Sequence, residues 1–408
     1  YGVSAELTTV GCIRKAFQNS SAPYDIEHVT PYIYRNGISN YFVSSITMGY
    51  RNLRVTIDTF EDYLSVKSLF IGESSPTKAG INSLISNFQR MKYRPYFEPS
   101  SKPMTFDGVK FGLEYGATNT VGKISEIESI QIIRQVITEG IEYIDTAATY
   151  GQSEKVIGKA LRDGWSHRVK VITKLLPFDD EAFKASKDSS LPLRVRNSIL
   201  QSCVNLGVER IHTLMMHRAM HLKNNIILSE LKLIREEGLI KNIGVSVQSP
   251  EELGFVLRDI DVSIIQMPYN ILDNRWDSMI DEIKKARDDR GLVVHARSAL
   301  LQGLLCSDDH SKWVSAGIDN SSEIVSWLNT QFKQHEKMSI SDLCIGYVNS
   351  QDWIDSVVVG AESVENLFSN LQSISMPLMR SEALSELAVT RPNLNSESLN
   401  PYNWKINV

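Results

Sequence analysis

Paired cysteines are what this chain of 408 residues most visibly lacks: Cys12, Cys203, Cys306 and Cys344 stand far apart, without the short spacing of a redox or zinc motif. Disulfides and a cysteine-held zinc are therefore not expected, and a reducing compartment is the default. No apolar run reaches the roughly 18 residues that a membrane helix needs, and no secretory signal is recognisable. Charge of one sign is scarce as well. With 43 Lys and Arg against 48 Asp and Glu, the formal net charge of -5 draws the chain neither to nucleic acid nor to an anionic membrane. A cytoplasmic protein is the expectation. A hydrophobic content of 42% is ordinary for a globular protein, and the length suits two domains or one large domain with additions.

What is present centres on residues 141–151, IEYIDTAATYG. The brief run Ile141, Tyr143, Ile144 follows Gly140 and is β-branched and aromatic, which reads as a buried strand. Asp145 then falls at its C-terminal end and Tyr150 in the loop beyond. Ser153 and Glu154, followed by Val156, Ile157, Ala160 and Leu161 at helical spacing, open a helix. An acid and a phenol thus share one strand-to-helix loop. Singly each has an ordinary explanation, a turn cap and a half-buried tyrosine, and the rest of the chain decides.

Residues 1–72 carry an expected helix at Thr8 to Phe17, a loop EHVTPYIYR at 27–35, a strand-like LRVTID at 53–58 and a helix opened by Asp58 and Thr59. Asp58 is read as that helix's cap, since a single carboxylate makes a poor magnesium site. The chain opens on Tyr1 in a segment without an opening strand, the pattern expected of a piece of something longer. Residues 73–105, rich in Ser and Pro, read as a linker around one helix at 79–91. From 106 onward, strands are expected at 109–113, 141–144, 169–173, 211–215, 241–245, 262–266, 291–295 and 355–359. Helical patterns lie at 126–139, 153–162, 192–206, 227–237, 250–257, 276–288, 322–349 in two pieces, and 363–371. Eight β-α units indicate an α/β fold of the (β/α)8 TIM-barrel type. An open doubly wound sheet would want a Gly-x-Gly-x-x-Gly after its first strand, and none is present.

A barrel builds its site at the C-terminal ends of its strands. The residues just past those ends are Asp145 and Tyr150, then Lys174, His217, Ser246, Gln266 with Asn270, Arg297 with Ser298, and Gly360. Four ionisable or proton-carrying groups thus converge on one mouth. Tyr150 can donate a proton, a cationic Lys174 beside it would stabilise the phenolate, Asp145 would hold Lys174 charged, and His217 would hydrogen-bond the oxygen that receives the proton.

The series IDTAATYG with Ser153 and Glu154, VITKL, LMMHR, IGVS, IQMPYN, HARSALLQGLL and VVVGAESVENL resembles the aldo-keto reductase superfamily from about residue 106 to the C-terminus. It is most similar to the bacterial branch of sugar and surface-polysaccharide clusters, with its FGLEYG opening and NPYNW ending. The resemblance implies reduction of a carbonyl, with the hydride brought by a nicotinamide coenzyme because no side chain supplies one, and the same four catalytic roles for Asp145, Tyr150, Lys174 and His217; no metal is expected. It further implies that Ser246 and Gln266 hold the carboxamide, that Ser298, Leu300 and Gly303 line the pyrophosphate path, and that Gly360, Asn366 and Asn370 lie near the adenosine half. Three departures stand out. Val247 replaces an Asn that touches the carboxamide in many relatives; Arg297 replaces an aromatic stacked on the nicotinamide, where a planar guanidinium can stack too; Gly360 and Asn366 stand where phosphate-preferring relatives often carry Lys or Arg, and Glu362 is acidic. NADP(H) is the expected coenzyme, with NAD(H) kept open.

EHVTPYIYR and VTIDTFEDY resemble the C-terminal part of cytidylyltransferase-like proteins of spore-coat and surface-polysaccharide synthesis, without that family's Gly-rich nucleotide loop. This implies an upstream transferase domain or a homo-oligomer as partner. One alternative function arises from it, in which the first block is the working half and the barrel an accessory; another makes the barrel a cofactor-binding sensor. Loops Tyr115 to Lys123, Pro177 to Ser190, His221 to Asn225 and Cys306 to Asn320 would choose the carbonyl substrate, and their mixed polarity suits a sugar or nucleotide-sugar.

Overall fold

The structure, a computed structural model, describes residues 8–20, 31–36, 66, 70, 80, 103–118, 122–178, 190–401 and 404. The chain divides into two compact units, residues 1–93 and 94–408. In the first, helix α1 (Val10–Asn19) starts where the Thr9 hydroxyl accepts the Cys12 amide at 3.2 Å, two residues later than the expected helix. A second helix, α2 (Pro31–Asn36), takes up part of the stretch expected to be a loop; proline suits a first helical turn because it has no amide to leave unpaired there. The strand expected at 53–58, the helix after Asp58, Val66 and Phe70 apart, and, Gly80 apart, the helix expected at 79–91 lie outside the described residues.

The second unit is a closed barrel of eight parallel strands hydrogen-bonded in chain order. They are β1 (Met104–Asp107), β2 (Tyr143–Asp145), β3 (Lys170–Leu175), β4 (Ile211–Met216), β5 (Ile240–Ser246), β6 (Val262–Pro268), β7 (Val293–Arg297) and β8 (Ser356–Val359). Helices α3 (Glu126–Thr138), α4 (Ser153–Ala160), α5 (Leu191–Leu206), α6 (Asn225–Glu236), α7 (Pro250–Val256) and α8 (Ile280–Arg290) separate the first seven strands. Between β7 and β8 run α9 (His310–Ser315), α10 (Ser321–Gln334) and α11 (Ile340–Asn349), and after β8 come α12 (Val364–Ser375) and α13 (Ser381–Thr390). Neither α9 nor α13 is foreseen by the apolar spacing, and the helix expected from 276 begins with a 3-10 turn at Asp277–Met279.

The first strand departs from expectation. Residues 109–111 form a 3-10 turn, and the strand lies earlier, at Met104–Asp107, reaching two residues into the expected linker. Pairing decides this: Thr105, Phe106 and Asp107 oppose Tyr143, Ile144 and Asp145 of β2, while Met104 to Phe106 oppose Val357 to Val359 of β8. Val109 and Phe111 are as apolar as a strand wants, but they are buried in the turn, with Phe111 stacked on Phe106 at 5.7 Å between ring centroids. Gly112 fixes the turn. A Cβ there would lie 1.7 Å from the Tyr150 carbonyl oxygen, so only glycine lets this backbone pass against the loop that carries the phenol.

Among the strands, Ile172, Met215 and Ile264 form a buried apolar cluster with Tyr143 and Val293 packed against it. Outside, each helix turns an apolar stripe to the strands: Ile132, Val136, Ile157, Val195, Ile199, Leu231, Leu253 and Leu367 are all buried. Burial of each such side chain stabilises the fold by roughly 1.5–3 kcal/mol before chain entropy is set against it. Serine caps fix several helix starts. Ser125 and Glu128 close a reciprocal capping box on α3, and Ser249, Ser339 and Ser363 cap α7, α11 and α12. Among the described residues no helix is long and apolar enough to cross a membrane.

Candidate active site

Because strands in register end at one level, the residues at their C-terminal ends meet. Asp107 stands opposite Asp145, Ser246 opposite Gln266, and Pro268 opposite Arg297. A cleft of about 1410 Å³ opens above them, and all thirteen residues given a catalytic or coenzyme role from the sequence line it. Asn270, in the loop after β6, is buried instead, its Oδ1 accepting the Leu272 amide at 3.0 Å.

Lys174 and Asp145, 1% and 2% exposed, form an ion pair at 2.5 Å. Lys174 also donates to the Thr146 carbonyl at 3.0 Å, and the second Asp145 oxygen accepts from the Gln266 amide at 2.9 Å. The pair is therefore fully engaged, the condition under which a buried ion pair is tolerated. Gln266 serves the Asp145 carboxylate here in addition to facing the cleft. The Lys174 ammonium sits over the Tyr150 ring, 5.0 Å from its centroid, with its hydrogen bonds spent on Asp145 and Thr146 and none on the phenol. Burial, then the charges of Asp145 and Asp107, push the Tyr150 phenol well above its usual range, with Arg297 opposing. It is held neutral, as a proton donor must be.

Edge-on to that ring, 6.1 Å between centroids, lies His217 just beyond β4. Burial, then Lys174 and Arg297, lower its pKa to about 3, so it is uncharged at neutral pH. Its Nδ1 lies 3.3 Å from the Thr149 hydroxyl, which leaves Nε2 for a ligand.

Local bonds hold the Tyr150 loop in place. The Ser153 hydroxyl donates to the Gly108 carbonyl and pairs with the Thr146 hydroxyl, both at 2.8 Å, tying the start of α4 to the exits of β1 and β2. Glu154, almost fully buried, accepts from Thr173 on β3 at 2.7 Å and from Asn205 on α5 at 3.0 Å. The Ser-Glu step is thus a clamp as well as a helix start.

Beyond β7 the backbone is left-handed at Ser298, Leu301, Gln302 and Gly303, a concentration of sparsely populated conformations that marks functional loops. Gly303 has no room for a side chain, since a Cβ would come 2.2 Å from the Thr118 hydroxyl. Gln302 donates to the Tyr115 hydroxyl at 3.0 Å, joining this loop to the one after β1. The narrow, glycine-bearing path fits a diphosphate better than it fits a bulky side chain. Arg297 donates to the Gln248 side chain at 2.8 Å and to the Val247 carbonyl at 3.4 Å, so Val247 contributes backbone and its side chain stays buried. After β8, Asn370 donates to the Gly360 carbonyl at 3.0 Å, Asn366 accepts the Glu362 amide at 3.3 Å, and Glu362 is ion-paired with Lys110.

Asp107, Tyr115 and Lys312 line the cleft as well, with no individual role foreseen from the sequence. Placing the first strand at 109–113 hides Asp107 as a strand-end acid. Burial and the nearby Asp145 raise the Asp107 carboxyl to about 6. Burial and Asp107 likewise push the Tyr115 phenol above its usual range. Of the four expected specificity loops, most of the one at 177–190 lies outside the described residues.

A closed parallel barrel whose strand ends gather an acid, a lysine, a phenol and a neutral histidine over a long cleft defines a barrel oxidoreductase. The aldo/keto reductase family model matches residues 110–387, most of the chain, and the chain belongs to that family of NAD(P)-dependent oxidoreductases. It is similar to the uncharacterized oxidoreductase YqkF of Bacillus subtilis, 21% identical over 270 residues, covering 64% of this chain and 86% of that protein. Over 274 residues it is 23% identical to probable aldo-keto reductase 1 of Glycine max, covering 62% and 77% of the two chains. In fold it is similar to the aldo-keto reductase AKR11C1 from Bacillus halodurans in its holo form, with a TM-score of 0.58, 19% identity, and coverage of 72% of this chain and 93% of that one.

Proposed function

We propose that the chain reduces an aldehyde or ketone, on a sugar or nucleotide-sugar, with Tyr150 as proton donor and NADP(H) ahead of NAD(H) as coenzyme. The carrying observation is the neutral phenol of Tyr150 set between the Lys174 to Asp145 pair and a neutral His217 in one cleft. Bound, a nicotinamide coenzyme supplies the hydride that no side chain can. Ser246 and Gln266 would hold its carboxamide end with Arg297 beside the nicotinamide ring, Ser298, Leu300 and Gly303 would line its diphosphate side, and Gly360, Asn366 and Asn370 its adenosine half. His217 Nε2 orients the carbonyl oxygen and Tyr150 delivers the proton to it. Lys174 eases the charge left on the phenol, a role its place over the ring supports through the field rather than through a hydrogen bond. For a 2′-phosphate, Lys110 is already neutralised by Glu362, but Lys312 lines the same cleft and has no ion pair among the described residues. It is the cation that favours NADP(H).

For residues 1–72 the reading as the C-terminal part of a cytidylyltransferase-like module, and with it a place in surface-polysaccharide synthesis, rests on the sequence motifs alone. The test of the barrel's function is a fluorescence titration with NADPH and with NADH, run beside Tyr150→Phe on a panel of aldehydes and keto-sugars. Retained coenzyme affinity with reduction lowered on the order of a hundredfold or more supports the donor role. A variant as fast as the parent refutes it.

A further inference from the structure

Asp107 is a second carboxylate at the mouth of the barrel, and the roles above leave it without work. It closes β1, in register with Asp145, and it lines the cleft. Its Oδ1 accepts the Val109 amide at 3.0 Å. Its Oδ2 has no partner among the described residues. Arg297, whose charge acts on this carboxylate, gives its hydrogen bonds to Gln248, Val247 and Ser298 instead. Space beside the carboxylate is kept open by Gly360 on the neighbouring strand end, where a Cβ would meet the Asp107 Cβ at 3.5 Å and the Asp107 carbonyl oxygen at 3.2 Å. An ionised carboxylate only accepts hydrogen bonds, and an oxygen left unmatched when a ligand displaces water is costly. A carbonyl cannot satisfy it; a hydroxyl can.

We propose that the free oxygen of Asp107 accepts a hydrogen bond from a ligand hydroxyl and so makes the site selective for hydroxylated ligands, either at a ribose of the coenzyme or beside the reacting carbonyl of a sugar-like substrate. This rests on the reductase reading and adds a specificity residue to it. Burial and Asp145 place the carboxyl near 6, so at pH 7.5 it is ionised and an acceptor only.

Asp107→Asn tests the proposal with little disturbance to the fold, because the amide oxygen can keep the Val109 bond while the free oxygen becomes a donor. Asp107→Ala, checked by its melting curve, removes both. In each variant, dissociation constants for NADPH and NADH are measured by fluorescence, and kcat/KM is compared for D-glyceraldehyde and for propanal, which lacks its hydroxyls. Loss of about tenfold in the glyceraldehyde preference, with coenzyme affinity unchanged, places the hydroxyl on the substrate. A coenzyme dissociation constant raised about tenfold, with the aldehyde ratio unchanged, places it on the ribose. An active parent whose variants change neither quantity overturns the role of Asp107 alone. A parent that binds neither coenzyme overturns the reductase reading, and this inference with it.

Discussion

Replacing Lys174 by Met removes one half of a buried ion pair and leaves Asp145 charged, 2% exposed, with only the Gln266 amide to answer it. Replacing Asp145 by Asn strands the Lys174 ammonium against the Thr146 carbonyl. Each single change should destabilise the barrel by about 3–5 kcal/mol, because a lone charge is left in a dry place. The double variant Lys174→Met with Asp145→Asn buries no unpaired charge, so its cost should fall well below the sum of the two, with a coupling of about 2 kcal/mol or more. Urea unfolding followed by circular dichroism measures the cycle, and the bond from Gln266 keeps the substituted amide anchored in the variants that carry Asp145→Asn. Single costs that add to within about 0.5 kcal/mol would refute the claim that this pair acts as a unit. Reduction should be lost in all three proteins, since each lacks the charge that faces the phenol or the partner that holds it there.

How much of this was legible in the sequence depends on the range of the interaction concerned. Strands β2 to β8 could be read because a parallel strand is covered on both sides and so appears as a short unbroken apolar run. Strand-end positions then came from the barrel rule, and Asp145, Tyr150, Lys174 and His217 do line one cleft. The first strand was misplaced because Phe106, Val109 and Phe111 are all buried, and nothing local says that the chain turns at Gly108. Asp107 was lost with it. The Gln266 to Asp145 bond spans 121 positions in the chain, and the Lys110 to Glu362 pair spans 252. Such contacts exist only once the barrel closes, and no periodicity announces them. The lysine, expected beside the phenol, stands over the face of its ring, a detail of side-chain packing that strand order cannot fix.

Two further outcomes rest on burial and close approach. His217 and His295, with pKa values lowered to about 3 and about 4, are held neutral in the folded chain, mainly by burial. Below the unfolded value of about 6.5 the unfolded chain takes up protons that the folded one refuses. Stability from these two groups is therefore complete above pH 7 and lost as pH falls toward 4, by about 2 kcal/mol for each at pH 5. Asp107 titrates in the opposite sense, its raised carboxyl favouring the folded state on the acid side. Thermal melts from pH 7.5 to pH 5 should show a net fall, and a flat profile would contradict the neutral assignment. Gly112→Ala tests how the phenol is positioned. The new Cβ would sit 1.7 Å from the Tyr150 carbonyl oxygen and 2.8 Å from the Ser153 amide nitrogen, and both obstacles are backbone, which cannot swing aside as a side chain would. The loop must shift by about an ångström or more, and a donor displaced by that distance from its acceptor loses on the order of a hundredfold in rate. Coenzyme affinity should change far less, because the diphosphate path proposed above runs along the loop after β7. Steady-state kinetics and coenzyme titration on the one variant separate the two effects; equal losses in both would mean that Gly112 supports the fold as a whole and not the placement of Tyr150.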